Sequence, residues 1–105
     1  MKIVVTLPDG SKSEVIAKPM SSVMSAMRDA GLPVRAECGG AMACATCHVQ
    51  VDPVWVSKTG RAGSEESDLL DMSDYRTETS RLSCQIRMTP ALDGLAVALQ
   101  LDALE

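Results

Sequence analysis

With 105 residues the chain has room for one compact core, and residues 1–105 read as a single domain. A formal net charge of −4 argues against a phosphate-backbone partner, and no apolar run approaches the ~20 residues that cross a bilayer, so neither nucleic acid nor membrane is expected. The chain has no Phe, one Tyr and one Trp, leaving Val, Leu, Ile, Ala and seven Met to fill the interior, so a covalently held cofactor has stability to contribute.

Residues 2 to 7 alternate, with Ile3, Val5 and Leu7 on one side. Pro8-Asp9-Gly10-Ser11 supplies turn residues before a second alternating stretch from Ser13 to Ala17, and together these predict a β-hairpin. The opening residues are too short and too strand-like for a signal peptide, so the expected compartment is the cytoplasm. From Ser22 the period changes: Val23, Met27 and Ala30 share a helical face, Ser21 or Ser22 can cap it, and Gly31 and Pro33 end it.

The stretch from Glu37 to Thr46 is almost wholly Cys, Gly and Ala, without usable period, and is expected to be a loop shaped by a ligand. Val49 to Val51 forms a short strand candidate. Ser64 to Met72 predicts a helix capped by Ser64, with Glu65 and Glu66 in its first turn. Strict alternation from Arg81 to Met88 predicts a strand with Leu82, Cys84, Ile86 and Met88 facing inward and Arg81, Ser83, Gln85 and Arg87 outward. A last strand follows Gly94, with Leu95, Val97 and Leu99 alternating. The expected class is α+β, a mixed sheet wrapped over one main helix with a cysteine-bearing loop.

Four cysteines, Cys38, Cys44, Cys47 and Cys84, are spaced C-x5-C-x2-C-x36-C. In a reducing compartment they are not expected to persist as two disulfides. A structural zinc site usually uses two short hooks, whereas here Cys44-x2-Cys47 is the sole hook. A [2Fe–2S] cluster needs four thiolates, two per iron, which is what the chain supplies. Such a cluster is an anion of charge about −2 when oxidised and gains one more negative charge on reduction. The backbone N–H groups of Gly39-Gly40-Ala41-Met42-Ala43 and Ala45-Thr46 are left free by small side chains to turn toward its sulfurs. His48 follows the third cysteine; with four thiolates present it is expected to pack and hydrogen-bond near the loop rather than ligate.

The stretch Glu37-Cys38-Gly39-Gly40-Ala41-Met42-Ala43-Cys44-Ala45-Thr46-Cys47-His48-Val49 resembles the cluster loop of the adrenodoxin/putidaredoxin-type [2Fe–2S] ferredoxins. Ser80-Arg81-Leu82-Ser83-Cys84-Gln85-Ile86 is similar to the segment carrying that family's fourth ligand, and Met88-Thr89-Pro90-Ala91-Leu92-Asp93-Gly94 to the segment that follows in its bacterial P450-partner branch. Five residues between the first two cysteines, rather than the four of plant-type ferredoxins, fit the same branch.

The resemblance implies a β-grasp ferredoxin fold and a one-electron carrier, not an enzyme, with one [2Fe–2S] cluster on Cys38, Cys44, Cys47 and Cys84. It implies a monomer that takes electrons from an FAD-containing, NAD(P)H-dependent ferredoxin reductase and passes them to a cytochrome P450; donation to iron–sulfur assembly is the alternative. A metal-stabilised binding module without redox work is a third reading. Glu65, Glu66, Asp68 and Asp71 are similar to the family's acidic recognition helix, and Asp68 and Asp71 fall opposite Leu69 and Leu70, which predicts an exposed acidic stripe. Glu37 stands where the bacterial branch has an aspartate at its P450 interface. Tyr75 and Arg81 are candidates to brace the link between helix and cluster. The ending Leu101-Asp102-Ala103-Leu104-Glu105 lacks the aromatic residue found at the C-terminus of some members.

Overall fold

The computed structural model describes residues 1–34, 48–73 and 75–100. Cys38, Cys44, Cys47, Glu37 and the C-terminal residues 101–105 lie outside the described residues.

The expected hairpin is present: β1 (Lys2–Thr6) pairs antiparallel with β2 (Lys12–Ile16), with Ile3 opposite Val15. Its turn closes through Leu7 N donating to Ser11 O at 2.8 Å, and Gly10 takes the φ of 91° that suits glycine. Asp9 Oδ1 accepts from the Ser11 hydroxyl at 2.6 Å and from its amide at 2.9 Å, and these bonds hold the Asp9 carboxyl below its ordinary pKa.

The helix α1 (Val23–Asp29) is capped by Ser22, whose Oγ accepts from Ser25 N at 3.1 Å. Its buried face is Val23, Met24, Ala26 and Met27. Ala30, expected on that face, is instead the exposed C-cap, because the helix stops there and Gly31 turns the chain away at φ 79°.

Next come β3 (His48–Val51), the short helix α2 (Val56–Thr59), α3 (Ser64–Leu70), β4 (Ser80–Leu82) and β5 (Leu95–Leu99). The strands form one mixed sheet in the order β2-β1-β5-β3-β4, with β1 and β5 parallel and the other pairs antiparallel. The final strand thus lies at the centre, where Leu95, Val97 and Leu99 are buried and Ala96 and Ala98 half-buried. Leu95, Val97 and Leu99 join Ile3, Val5, Val15, Val23, Met27, Val49, Leu70 and Leu82 in one core. Full burial of such a side chain stabilises the fold by ~1.5–3 kcal/mol.

Two expectations need correction. Alternation from Arg81 to Met88 does not make one strand: β4 ends at Leu82, and Ser83–Gln85 form a 3-10 turn. Leu82, Cys84, Ile86 and Met88 are buried as expected, but Arg81 and Ser83 are buried too: Arg81, still in β4, is covered by α3, whose Glu66 it pairs with, and Ser83 lies in a tight turn that does not keep a two-residue period. The helix capped by Ser64 starts there with Gly63 as cap residue and no side-chain cap bond, and it ends at Leu70. Of the two seven-residue helices, α1 buries four residues and α3 two, so α1 is the main helix on which the sheet packs.

Candidate metal centre and acidic helix

Cys84 is the one cysteine among the described residues, and it is buried in the middle of the 3-10 turn. Both flanks of the turn are tied down. Downstream, Ile86 O accepts from Val23 N at 2.9 Å and Met88 N donates to Ser21 O at 2.8 Å, joining the segment to the start of α1. Upstream, Leu82 is paired with His48, so the strand beginning directly after the third cysteine lies against the strand ending two residues before the fourth. The Gln85 side chain turns back on the cysteine, its Nε2 donating to Cys84 Sγ at 3.4 Å. A buried sulfur on an immobilised turn, accepting a hydrogen bond, suits a metal-bound thiolate, which is an acceptor only.

His48 is fully buried, with Nε2 2.7 Å from Ser80 Oγ and Nδ1 3.3 Å from Ser73 Oγ. It packs and hydrogen-bonds at the end of the sheet, in line with expectation. Ser80 Oγ also accepts from Thr77 N at 2.8 Å, so the residues between α3 and β4 are tied to the start of β3.

Glu65, Glu66, Asp68 and Asp71 are alike as an expected acidic stripe, and the structure separates them. Glu66 is 5% exposed and does not belong to a surface stripe. Its carboxylate takes both prongs of the Arg81 guanidinium, Nε at 2.6 Å from Oε2 and Nη2 at 3.3 Å from Oε1, and Oε2 also accepts from Leu82 N at 2.9 Å. Arg81 Nη1 donates to the carbonyls of Thr59 and Gly60 at 2.9 and 3.0 Å. Burial of these two charges is offset by bidentate, charge-assisted hydrogen bonds. Arg81 therefore does brace α3, whereas Tyr75 is exposed, its amide donating to Ser73 Oγ.

Glu65, Asp68 and Asp71 are exposed on the other side of α3, while Leu70 is buried and Leu69 half-buried. Asp71 is paired with Arg76 at 2.7 Å, and the same Nη1 donates to Ser67 O at 2.7 Å. Among the described residues, Glu65 and Asp68 remain as acidic side chains of this face with no ion pair. Met72, next in sequence to Asp71, is exposed as well. The Glu66–Arg81 pair was missed because its partners lie 15 residues apart in different elements, and a Glu in a first helical turn looks the same whether solvated or buried. The one local signal was an Arg within an otherwise apolar or small-residue stretch. Gln85 carried no signal beyond its adjacency to a cysteine.

Among the described residues, no helix is long and apolar enough to cross a membrane.

Residues 6–89 match the family described as 2Fe-2S iron-sulfur cluster binding domain. Rhodocoxin of Rhodococcus erythropolis is 46% identical over 94 residues, covering 88% of each chain. The crystal structure of a ferredoxin from Rhodopseudomonas palustris HaA2 superposes with a TM-score of 0.90 at 43% identity, covering 96% of this chain and 97% of that one. Putidaredoxin in its covalent complex with putidaredoxin reductase gives a TM-score of 0.89 at 37% identity, covering 94% and 97%.

Proposed function

Because the chain belongs to the 2Fe-2S iron-sulfur cluster binding domain family, and is thus an electron-transfer protein carrying one [2Fe–2S] cluster, we propose the following assignment of residues and partners. Cys38, Cys44, Cys47 and Cys84 hold the cluster, which when bound supplies one reversible electron-accepting level. The chain acts as a single domain in the cytoplasm, as a monomer, taking electrons from an FAD-containing, NAD(P)H-dependent ferredoxin reductase and delivering them to a cytochrome P450. A relative's covalent complex with its reductase supports the first half of that exchange.

The observation that carries this reading is the clamp from α3 to the segment bearing the fourth cysteine. Glu66 on α3 bonds both the Arg81 side chain and the Leu82 amide, two residues before Cys84. A partner held on the outer face of α3 is thereby held at a fixed position relative to that cysteine. Directional positioning is what electron delivery needs, because a carrier makes no bond to its substrate.

Docking then rests on Glu65 and Asp68, with Asp71 contributing a charge already shared with Arg76, and with Glu37 as a further contact. Glu66 positions the helix instead of touching the partner. Exposed carboxylates facing a basic partner chiefly raise the association rate and are screened by salt. The double variant Glu65→Gln/Asp68→Asn is expected to slow reduction by the reductase roughly tenfold at low ionic strength, with the difference vanishing near 0.5 M salt, about where screening is complete. Equal stopped-flow rates at low salt would remove this face from the docking surface. NADH-driven turnover of a P450 by the carrier separates that acceptor from the iron–sulfur assembly alternative.

A further inference from the structure

We propose that Gln85 sets part of the reduction potential by donating its side-chain amide to the sulfur of Cys84, favouring the reduced state. The inference rests on the assignment of Cys84 as a cluster ligand. It goes further by naming a side chain, outside the cysteine loop, that acts on the electron-accepting group through a ligand sulfur.

The geometry is specific. Gln85 Nε2 lies 3.4 Å from Cys84 Sγ, within range for an N–H donor to sulfur, and the residue is only half-buried. A glutamine side chain has several rotatable bonds and costs entropy to hold, so a half-exposed one bent back on its neighbour has to be retained by an interaction. A thiolate ligand accepts and cannot donate, so the amide can satisfy it only through its NH2 group, the group placed 3.4 Å from Sγ. The turn is also immobile: Ile86 N donates to Ser83 O at 3.3 Å, and Ile86 and Met88 are bonded to the start of α1. The backbone that carries the donor is therefore held on both sides of the turn.

Reduction adds one electron and no proton at this position. No bond to Gln85 forms or breaks; the electron is supplied by the reductase or, in a titration, by dithionite. The donated N–H meets one more negative charge after that step than before, so the hydrogen bond is stronger in the reduced state. Removing it lowers the potential.

The test is a redox titration of the cluster-bearing protein, following visible absorption, in the wild type and in the Gln85→Met and Gln85→Glu variants. Methionine keeps length and removes the donor, and the reduced-to-oxidised ratio at a fixed potential is expected to fall roughly three- to tenfold, tenfold being ~59 mV for a one-electron couple. Glutamate keeps the shape, removes the donor and adds a like charge, so it is expected to fall further. A residue that merely fills space would leave Gln85→Met at the wild-type ratio, so an unchanged ratio in Gln85→Met with normal iron content would overturn the proposal, whatever the added charge does in Gln85→Glu.

A second readout uses the wild type, should a variant fail to assemble. With 15N placed in the glutamine side-chain amides, pulsed EPR of the reduced protein is expected to show a 15N coupling; its absence would equally overturn the proposal. Failure of the ligand assignment is distinguishable from either result: Cys84→Ala would then retain wild-type iron content and EPR.

Discussion

In the hairpin, the inward positions Ile3, Val5 and Val15 are aliphatic and fully or almost fully buried, and register follows from alternation. Between α3 and Cys84, the inward positions include Glu66 and Arg81, both charged and almost as deeply buried as the aliphatic ones. Aliphatic contacts are non-directional and tolerate small displacements, whereas a bidentate guanidinium–carboxylate pair fixes both distance and orientation. The part of the fold that only has to be stable is therefore built from apolar burial. The segment that joins the acidic face of α3 to Cys84 uses a charged clamp instead.

Breaking the clamp on one side should have the largest effect. Glu66→Ala leaves the Arg81 guanidinium buried without its counter-charge and is expected to destabilise the protein by ~3–5 kcal/mol, measured by urea unfolding. The paired substitution Glu66→Leu/Arg81→Met removes both charges and should return stability close to wild type while changing the rate of reduction by the reductase. If the pair recovers both stability and rate, the clamp does not position the helix.

A smaller effect is expected in the other region. Ser22→Ala removes the oxygen that accepts from Ser25 N and should cost ~1 kcal/mol. Because the start of α1 also bonds Ile86 and Met88, the same variant should leave the cluster's absorption spectrum intact; loss of the cluster would mean that this end of α1, and not the Glu66–Arg81 pair, chiefly holds the Cys84 turn.

The smallest effect is expected on the outer face of α3. Asp68→Asn should change stability by less than ~0.5 kcal/mol, since its carboxylate is exposed and makes no ion pair with a described residue. Against Glu66→Ala, it compares two acidic residues two positions apart on one helix, one structural and one solvated. A large stability loss in Asp68→Asn would erase that distinction.

Periodicity was sufficient where apolar burial decides structure: the hairpin, the Ser22-capped helix and the alternating last strand all follow from side chains whose preference is solvent exclusion. Between Ser64 and Gln85 it located a helix and an inward Cys84 but not the burial of Glu66 and Arg81 or the break in the strand, because charge and tight turns decide those. Glu65 and Glu66 are neighbours of the same type, and only the approach of Arg81 from β4 makes one a buried anchor and leaves the other on the surface. Alternation correctly put Cys84 inward, but could not show that a 3-10 turn carries it or that Gln85 folds back onto its sulfur. The spacing of the four cysteines pointed to the cluster because ligand count and chemistry are written in the chain itself, independently of how strands pair.

The most direct test of the central claim is low-temperature EPR of the purified protein before and after dithionite reduction, in the wild type and in Cys84→Ala. The wild type is expected to be silent when oxidised and to give one S = 1/2 signal when reduced, with about two irons per chain, while Cys84→Ala loses that signal or its iron. A colourless wild-type protein that stays silent after reduction, or a Cys84→Ala variant with an unaltered signal, would contradict it.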